Sequence, residues 1–166
     1  MSDPVAAHLA RALAEPGTAL PPHYPTCLGC GPDAEHGFGL RVRREGDEVV
    51  TEHLFTHGQS GAPGIAHGGA VATVVDDVLG YLLHVVREPA VTRTLEVEYL
   101  RPVMVGEPYV VRGRLLSHEG RKVWGACEGT APDGGLAFRG RGLFVVVPLS
   151  HFANATSGEG RGPVAL

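Results

Sequence analysis

Hydrophobic positions along this chain follow two different periods. Between residues 67 and 87 apolar side chains return every three to four positions. At 100° per residue Val71, Val74, Val75, Val78, Leu82 and Val85 fall on one stripe, which predicts a long amphipathic helix. Pro89 ends it. Beyond the helix the period is two. Val91, Leu95, Val97 and Tyr99 alternate with Thr92, Thr94, Glu96 and Glu98 up to Arg101-Pro102. Similar strand-like runs cover residues 40–44, 49–55, 109–118, 122–130 and 136–147. Turn sequences separate them: Glu45-Gly46-Asp47, Glu119-Gly120 and Pro132-Asp133-Gly134-Gly135. The order ββαββββ predicts an α+β fold, with one long helix packed on a six-stranded antiparallel sheet.

An additional helix is expected near the N-terminus. Asp3-Pro4 supplies a cap and a first-turn proline, Val5, Leu9 and Leu13 share a face, and Glu15-Pro16-Gly17 closes the segment. The chain therefore divides into an N-terminal helix and Pro/Gly-rich loop (1–36), a main domain (37–148) and a small, polar tail (149–166) that reads as partly disordered.

Composition sharpens this picture. The 166 residues include 24 Gly and 13 Pro, which suggests many tight turns and short strands. A net charge of -4 and the absence of a basic run speak against a nucleic-acid partner. No stretch of about 18 uncharged apolar residues occurs, so a membrane span is not expected. The first residues lack a basic start and a continuous apolar stretch, so a cytoplasmic protein is the simplest expectation. Three cysteines define no disulfide framework.

The candidate chemistry lies on the central helix. Asp76 points almost opposite the valine stripe, among Gly69, Ala72, Thr73, Gly80 and Leu83. Small neighbours let a ligand or another backbone come close. A carboxylate in such a covered setting needs partners, which makes Asp76 a candidate for catalysis. The plain alternative is a solvated aspartate on an outer helix face. Asp77, 100° further round, reads as a surface or supporting residue. At the helix start, His67-Gly68-Gly69 leaves amides without intrahelical acceptors. Together with the helix dipole these favour a developing negative charge, although a glycine-rich turn has the same sequence.

Gly68 and Asp76 are eight residues apart, or about 12 Å along a helix. A water, a carboxylate and an oxyanion donor must meet around one carbonyl at roughly 3 Å contacts. Two antiparallel helices across a twofold axis would bring one subunit's Gly68 beside the other's Asp76, which predicts a homodimer with two composite sites.

GIAHGGAVATVVDDVLG resembles the helix start of hotdog-fold thioesterases, in particular PaaI-type enzymes and the thioesterase superfamily members that hydrolyse acyl-CoA. TRTLEVEYLRPV resembles the next strand of the same family, and the likeness covers roughly residues 27–147. The resemblance implies a hotdog fold, acyl-CoA hydrolysis without an organic cofactor, and assembly as a homodimer or a dimer of dimers. By the same resemblance Asp76 is general base or nucleophile, Gly68 the oxyanion donor, His67 the histidine beside it, and Thr92 the residue that orients water. Gly69 and Thr73 would line the substrate, while Arg101, Arg121 and Lys122 would contact the CoA phosphates. Ala66 stands where some relatives carry Asn or Ser, so a polar role is missing there.

Cys27-Leu28-Gly29-Cys30-Gly31, with His23, His36 or His57, has the donors for a metal, but a second such pair is missing. A structural role without metal is the preferred expectation. His8, His84, His118 and His151 are scattered, and Cys127, Trp124 and Phe144 read as core. No G-x-S-x-G nucleophile elbow occurs. Two rival functions remain at this level: a hydratase or dehydratase acting on acyl thioesters through His67 and Asp76, and a non-catalytic module that binds acyl-CoA.

Overall fold

The structure, a computed structural model, describes residues 19–157. The helix expected over residues 3–15 lies outside the described residues. In chain order the elements are β1 (Arg43–Glu45), β2 (Glu48–Leu54), a 3-10 turn (His57–Gln59), β3 (Ser60–Ala62), β4 (Ile65–Ala66) and α1 (Gly68–Gly80). Then follow α2 (Leu82–Val86), β5 (Ala90–Tyr99), β6 (Pro108–Glu119), β7 (Lys122–Thr130), β8 (Leu136–Val146) and α3 (Ser150–Ser157). Six strands form one sheet in the order β1-β2-β6-β7-β8-β5, and every neighbouring pair is antiparallel. The expected fold, a long helix held against a six-stranded antiparallel sheet, is present. The β3–β4 ribbon is a small addition that delivers the chain to the start of α1.

The valine stripe lies on the sheet as its period requires. Val71, Val74, Val75, Val78 and Leu82 are buried, and Val85 is half-buried. The sheet beneath them is unusually shallow. Gly113, Cys127 and Gly140 form one register line across β6, β7 and β8, and Leu115, Gly125 and Gly142 form the next. A Cβ on Gly140 would overlap Val75 Cγ1, and one on Gly125 would lie 2.6 Å from Leu82 Cδ1. Many of the glycines that composition assigned to turns therefore sit mid-strand, where they let the helix approach.

Three boundaries differ from expectation. The strand expected from residue 40 begins at Arg43. Upstream, the amides of Phe38 and Leu40 donate to the carbonyls of Leu28 and Gly29 (2.8 and 2.9 Å), so this stretch pairs with the cysteine loop. The long helix is broken at Tyr81 and stops at Arg87, whose left-handed φ of 61° precedes Pro89. Residues 150–157, expected within a partly disordered tail, form α3.

Gly68–Val86 spans 19 residues with a mean hydropathy of 1.5, so by length and composition alone it could cross a membrane. Its apolar character has another cause here: one side faces the sheet core, and Asp77 and Tyr81 on the other side are buried beneath the cysteine loop.

Candidate active site

The start of α1 is held on both sides of one peptide. His67 is the N-cap, in extended backbone (φ −64°, ψ 137°), and its Nδ1 accepts from the Gly69 amide at 2.8 Å. The Tyr99 hydroxyl donates to the Gly68 carbonyl at 2.7 Å. The His67 carbonyl accepts from Ala70 and Val71 (2.9 and 3.1 Å) and so points down the helix. A trans peptide sets its N–H opposite its C=O, so the Gly68 amide points out of the helix start. A cavity of about 500 Å³ opens there, lined by Ala66, Gly68, Val71, Tyr99, Arg101 and Val103 among others. Aligned helix dipoles and an outward amide suit an oxygen that gains negative charge.

Asp76 lies two turns along the same helix, and Thr92 Oγ1 donates to its Oδ1 at 2.9 Å. Simple alternation would place Thr92 on the face opposite Tyr99. The register shifts between Thr92 and Thr94, so Arg93 is an extra residue in β5. This bulge turns Thr92 onto the helix side, the side that Tyr99 also occupies. Burial pushes the Asp76 carboxyl above its usual range, and the Thr92 hydrogen bond pulls in the other direction. A carboxylate with raised basicity and an ordered hydroxyl beside it can bind and activate a water.

The remaining expected residues are spread out. Thr73 Oγ1 donates to the Gly69 carbonyl at 2.9 Å, so its hydroxyl braces the helix start. Arg101 lines the cavity but is engaged with Asp133 (2.8 and 2.5 Å) and the Gly135 carbonyl (2.9 Å). Arg121 Nε donates to the Val146 carbonyl at 2.9 Å, and Lys122 is exposed opposite Val145. Val146 and Val145 pair with Ala90 and Val91, at the end of β5 farthest from Tyr99. Within the chain, Arg101 and the Arg121-Lys122 pair therefore lie at opposite ends of the sheet.

Asp77, read from sequence as a surface or supporting residue, is not at the surface. It is 8% exposed, and it faces the cysteine loop. His23 Nδ1 lies 3.1 Å from Asp77 Oδ1, Cys27 Sγ lies 3.3 Å from the same oxygen, and Cys30 Sγ lies 3.3 Å from His23 Nδ1. Burial pushes the Asp77 carboxyl up. Burial opposes the charge on His23, yet hydrogen bonding to Asp77 and Cys27 outweighs it and raises His23 to about 9. Gly29 is needed for this approach, since a Cβ there would overlap the Asp77 carboxyl. His36 and His57, the other histidines weighed beside the cysteines, are exposed and outside the group.

Tyr99 and the His23–Asp77 contact were not expected from sequence. Tyr99 reads as an inward strand position, and only the helix-to-strand pairing reveals its hydroxyl as a brace. The Cys27-x-x-Cys30 spacing marked the loop, but nothing in the residue order connects it to a position 47 residues later on a helix.

Residues 63–138 match the family model described as thioesterase superfamily. Acyl-coenzyme A thioesterase THEM4 of Bos taurus is 32% identical over 112 residues, 66% of this chain and 46% of that protein. The chain thus spans just under half the length of this curated relative. A thioesterase superfamily protein known by its crystal structure superposes with a TM-score of 0.69 at 29% identity, covering 73% of this chain and 60% of the other. A hypothetical thioesterase from Streptococcus pneumoniae TIGR4, crystallised with coenzyme A, superposes with a TM-score of 0.62 at 17% identity, covering 65% and 85%.

Proposed function

We propose that this chain, which has the hotdog fold and is similar to thioesterase superfamily proteins, hydrolyses acyl-CoA thioesters to a free acid and CoA. The observation that carries the reading is the Asp76–Thr92 pair at 2.9 Å, on the same helix whose start presents the Gly68 amide to a cavity. In this mechanism the thioester carbonyl oxygen accepts from the Gly68 amide. Asp76 takes a proton from water as the water oxygen adds to the carbonyl carbon, Thr92 orients the two, and the tetrahedral oxyanion rests on the Gly68 amide until the C–S bond breaks. The CoA thiolate then departs with little acid assistance, since a thiol pKa is ~8.5.

One subunit holds the two halves apart. Asp76 pairs with one end of β5 and Gly68 with the other, and about 12 Å of helix separates them. β5 is ten residues long and is the terminal strand of the sheet. An exposed edge of that length is a template for pairing. Antiparallel pairing of two such edges about a twofold axis sets the Thr92 end against the Tyr99 end of the other copy. A homodimer built this way unites Asp76 with the partner subunit's Gly68, twice.

His67 spends Nδ1 on the Gly69 amide, which supports a capping role over the acid–base role that a hydratase or dehydratase would need. The test is a panel of CoA thioesters, from acetyl to palmitoyl with aryl-acyl members, assayed for free thiol. Thiol release that falls to background in Asp76→Asn supports the reading. Tight acyl-CoA binding with no thiol release across the panel would leave a binding module and end it.

A further inference from the structure

We propose that His23, Cys27, Cys30 and Asp77 form a structural divalent-metal site, with Zn²⁺ as the best match, which fastens the 20–40 loop to α1. One ligand atom from each residue, an imidazole nitrogen, two sulfurs and a carboxylate oxygen, lies within 4.8 Å of every other. A tetrahedral zinc shell with bonds of about 2.0–2.3 Å has ligand-to-ligand edges of roughly 3.3–3.8 Å. Three edges are set by His23 Nδ1 to Asp77 Oδ1 (3.1 Å), Cys27 Sγ to Asp77 Oδ1 (3.3 Å) and Cys30 Sγ to His23 Nδ1 (3.3 Å). On these three edges shifts of a few tenths of an ångström reach the metal-bound values, and the other three lie within 4.8 Å.

The surroundings fit thiolate ligands. The His23 amide donates to Cys30 Sγ at 3.2 Å. Backbone N–H groups directed at sulfur stabilise its anionic, metal-binding form. Cys30 is fully buried and Asp77 is 8% exposed. Asp77 Oδ2 is buried and has no hydrogen-bond partner among the described residues. A carboxylate oxygen left in that state is costly, and a cation bound by the same carboxylate offsets the cost. The mixture of sulfur, imidazole and a single carboxylate favours a borderline-soft ion over Mg²⁺ or Ca²⁺, which take oxygen shells. Four protein ligands leave no open position, so the role is structural, separate from hydrolysis at Asp76.

The full-length chain, purified without chelator, should carry close to one zinc per chain by elemental mass spectrometry. A mercurial reagent that blocks thiols should release it stoichiometrically. The Cys27→Ser/Cys30→Ser double variant should retain less than a tenth of that zinc. Since this variant also loses loop packing, the deciding measurement uses the unaltered chain. Stripped of metal, kept reduced and titrated with Co²⁺, it should develop a thiolate-to-cobalt charge-transfer band and tetrahedral d–d absorption that saturate at one equivalent. A titration without that band, or a chain that on exposure to air forms a Cys27–Cys30 disulfide even with excess Zn²⁺ present, would overturn the proposal.

Discussion

Asp76 answers to two opposed demands. The proposed hydrolysis needs its carboxylate ionised, whereas burial favours the protonated form. Its folded pKa is raised, so the native state holds this proton more tightly than the unfolded chain does. Stability therefore falls as pH rises from the ordinary carboxylate value through the raised one. Asp76→Asn removes the ionised form and should slow thiol release by about 10²–10⁴-fold. It should also raise the melting temperature at neutral pH, and thermal melts should show that gap closing as the pH is lowered. Thr92→Val removes the hydroxyl that favours ionisation of Asp76. The acid limb of its kcat/KM profile should move to higher pH, which a pH–rate series reads directly; an unmoved limb would separate Thr92 from the carboxylate's chemistry.

Among the elements, the close seat of α1 on the sheet makes a direct prediction. Gly140→Ala sets a methyl group against Val75, the residue before Asp76, and should cost about 1–3 kcal/mol as an overpacked core does, measured by denaturant unfolding. Activity should fall with it, because the helix must lift to relieve the overlap. The helix was legible in the sequence because a valine stripe with a 3.6-residue period needs one wide apolar surface, and the six strands were legible from alternation between turn residues. The glycine rows were not, since a glycine under a helix and a glycine in a turn look alike until register pairs them. Thr92 was identified only through family resemblance; strict alternation would have turned it away from Asp76, and one unpaired residue, Arg93, reverses that. The misplacement of Asp77 has the same origin. A helical wheel gives its angle, but a loop some fifty residues upstream decides whether that angle faces water.

At the scale of the whole molecule, a site divided between two subunits can be tested by complementation. Gly68 is the first helical residue, where proline is tolerated, and the extended backbone of His67 suits a residue that precedes proline. Gly68→Pro should therefore fold while losing the donor amide. Mixed in equal amounts with Asp76→Asn through reversible dissociation, two inactive proteins should recover about a quarter of the wild-type rate, because half the dimers are mixed and each carries one intact site. A mixture that stays inactive would place both groups in one chain. The contact between Asp77 and the cysteine loop bears on this arrangement as well. Asp76 and Asp77 are consecutive, so whatever fixes the azimuth of one fixes the other about 100° away. The loop acts as a detent on a rotating shaft: with Asp77 caught, the helix cannot roll beneath its own side chains, and its neighbour keeps the aim that the proposed dimer requires.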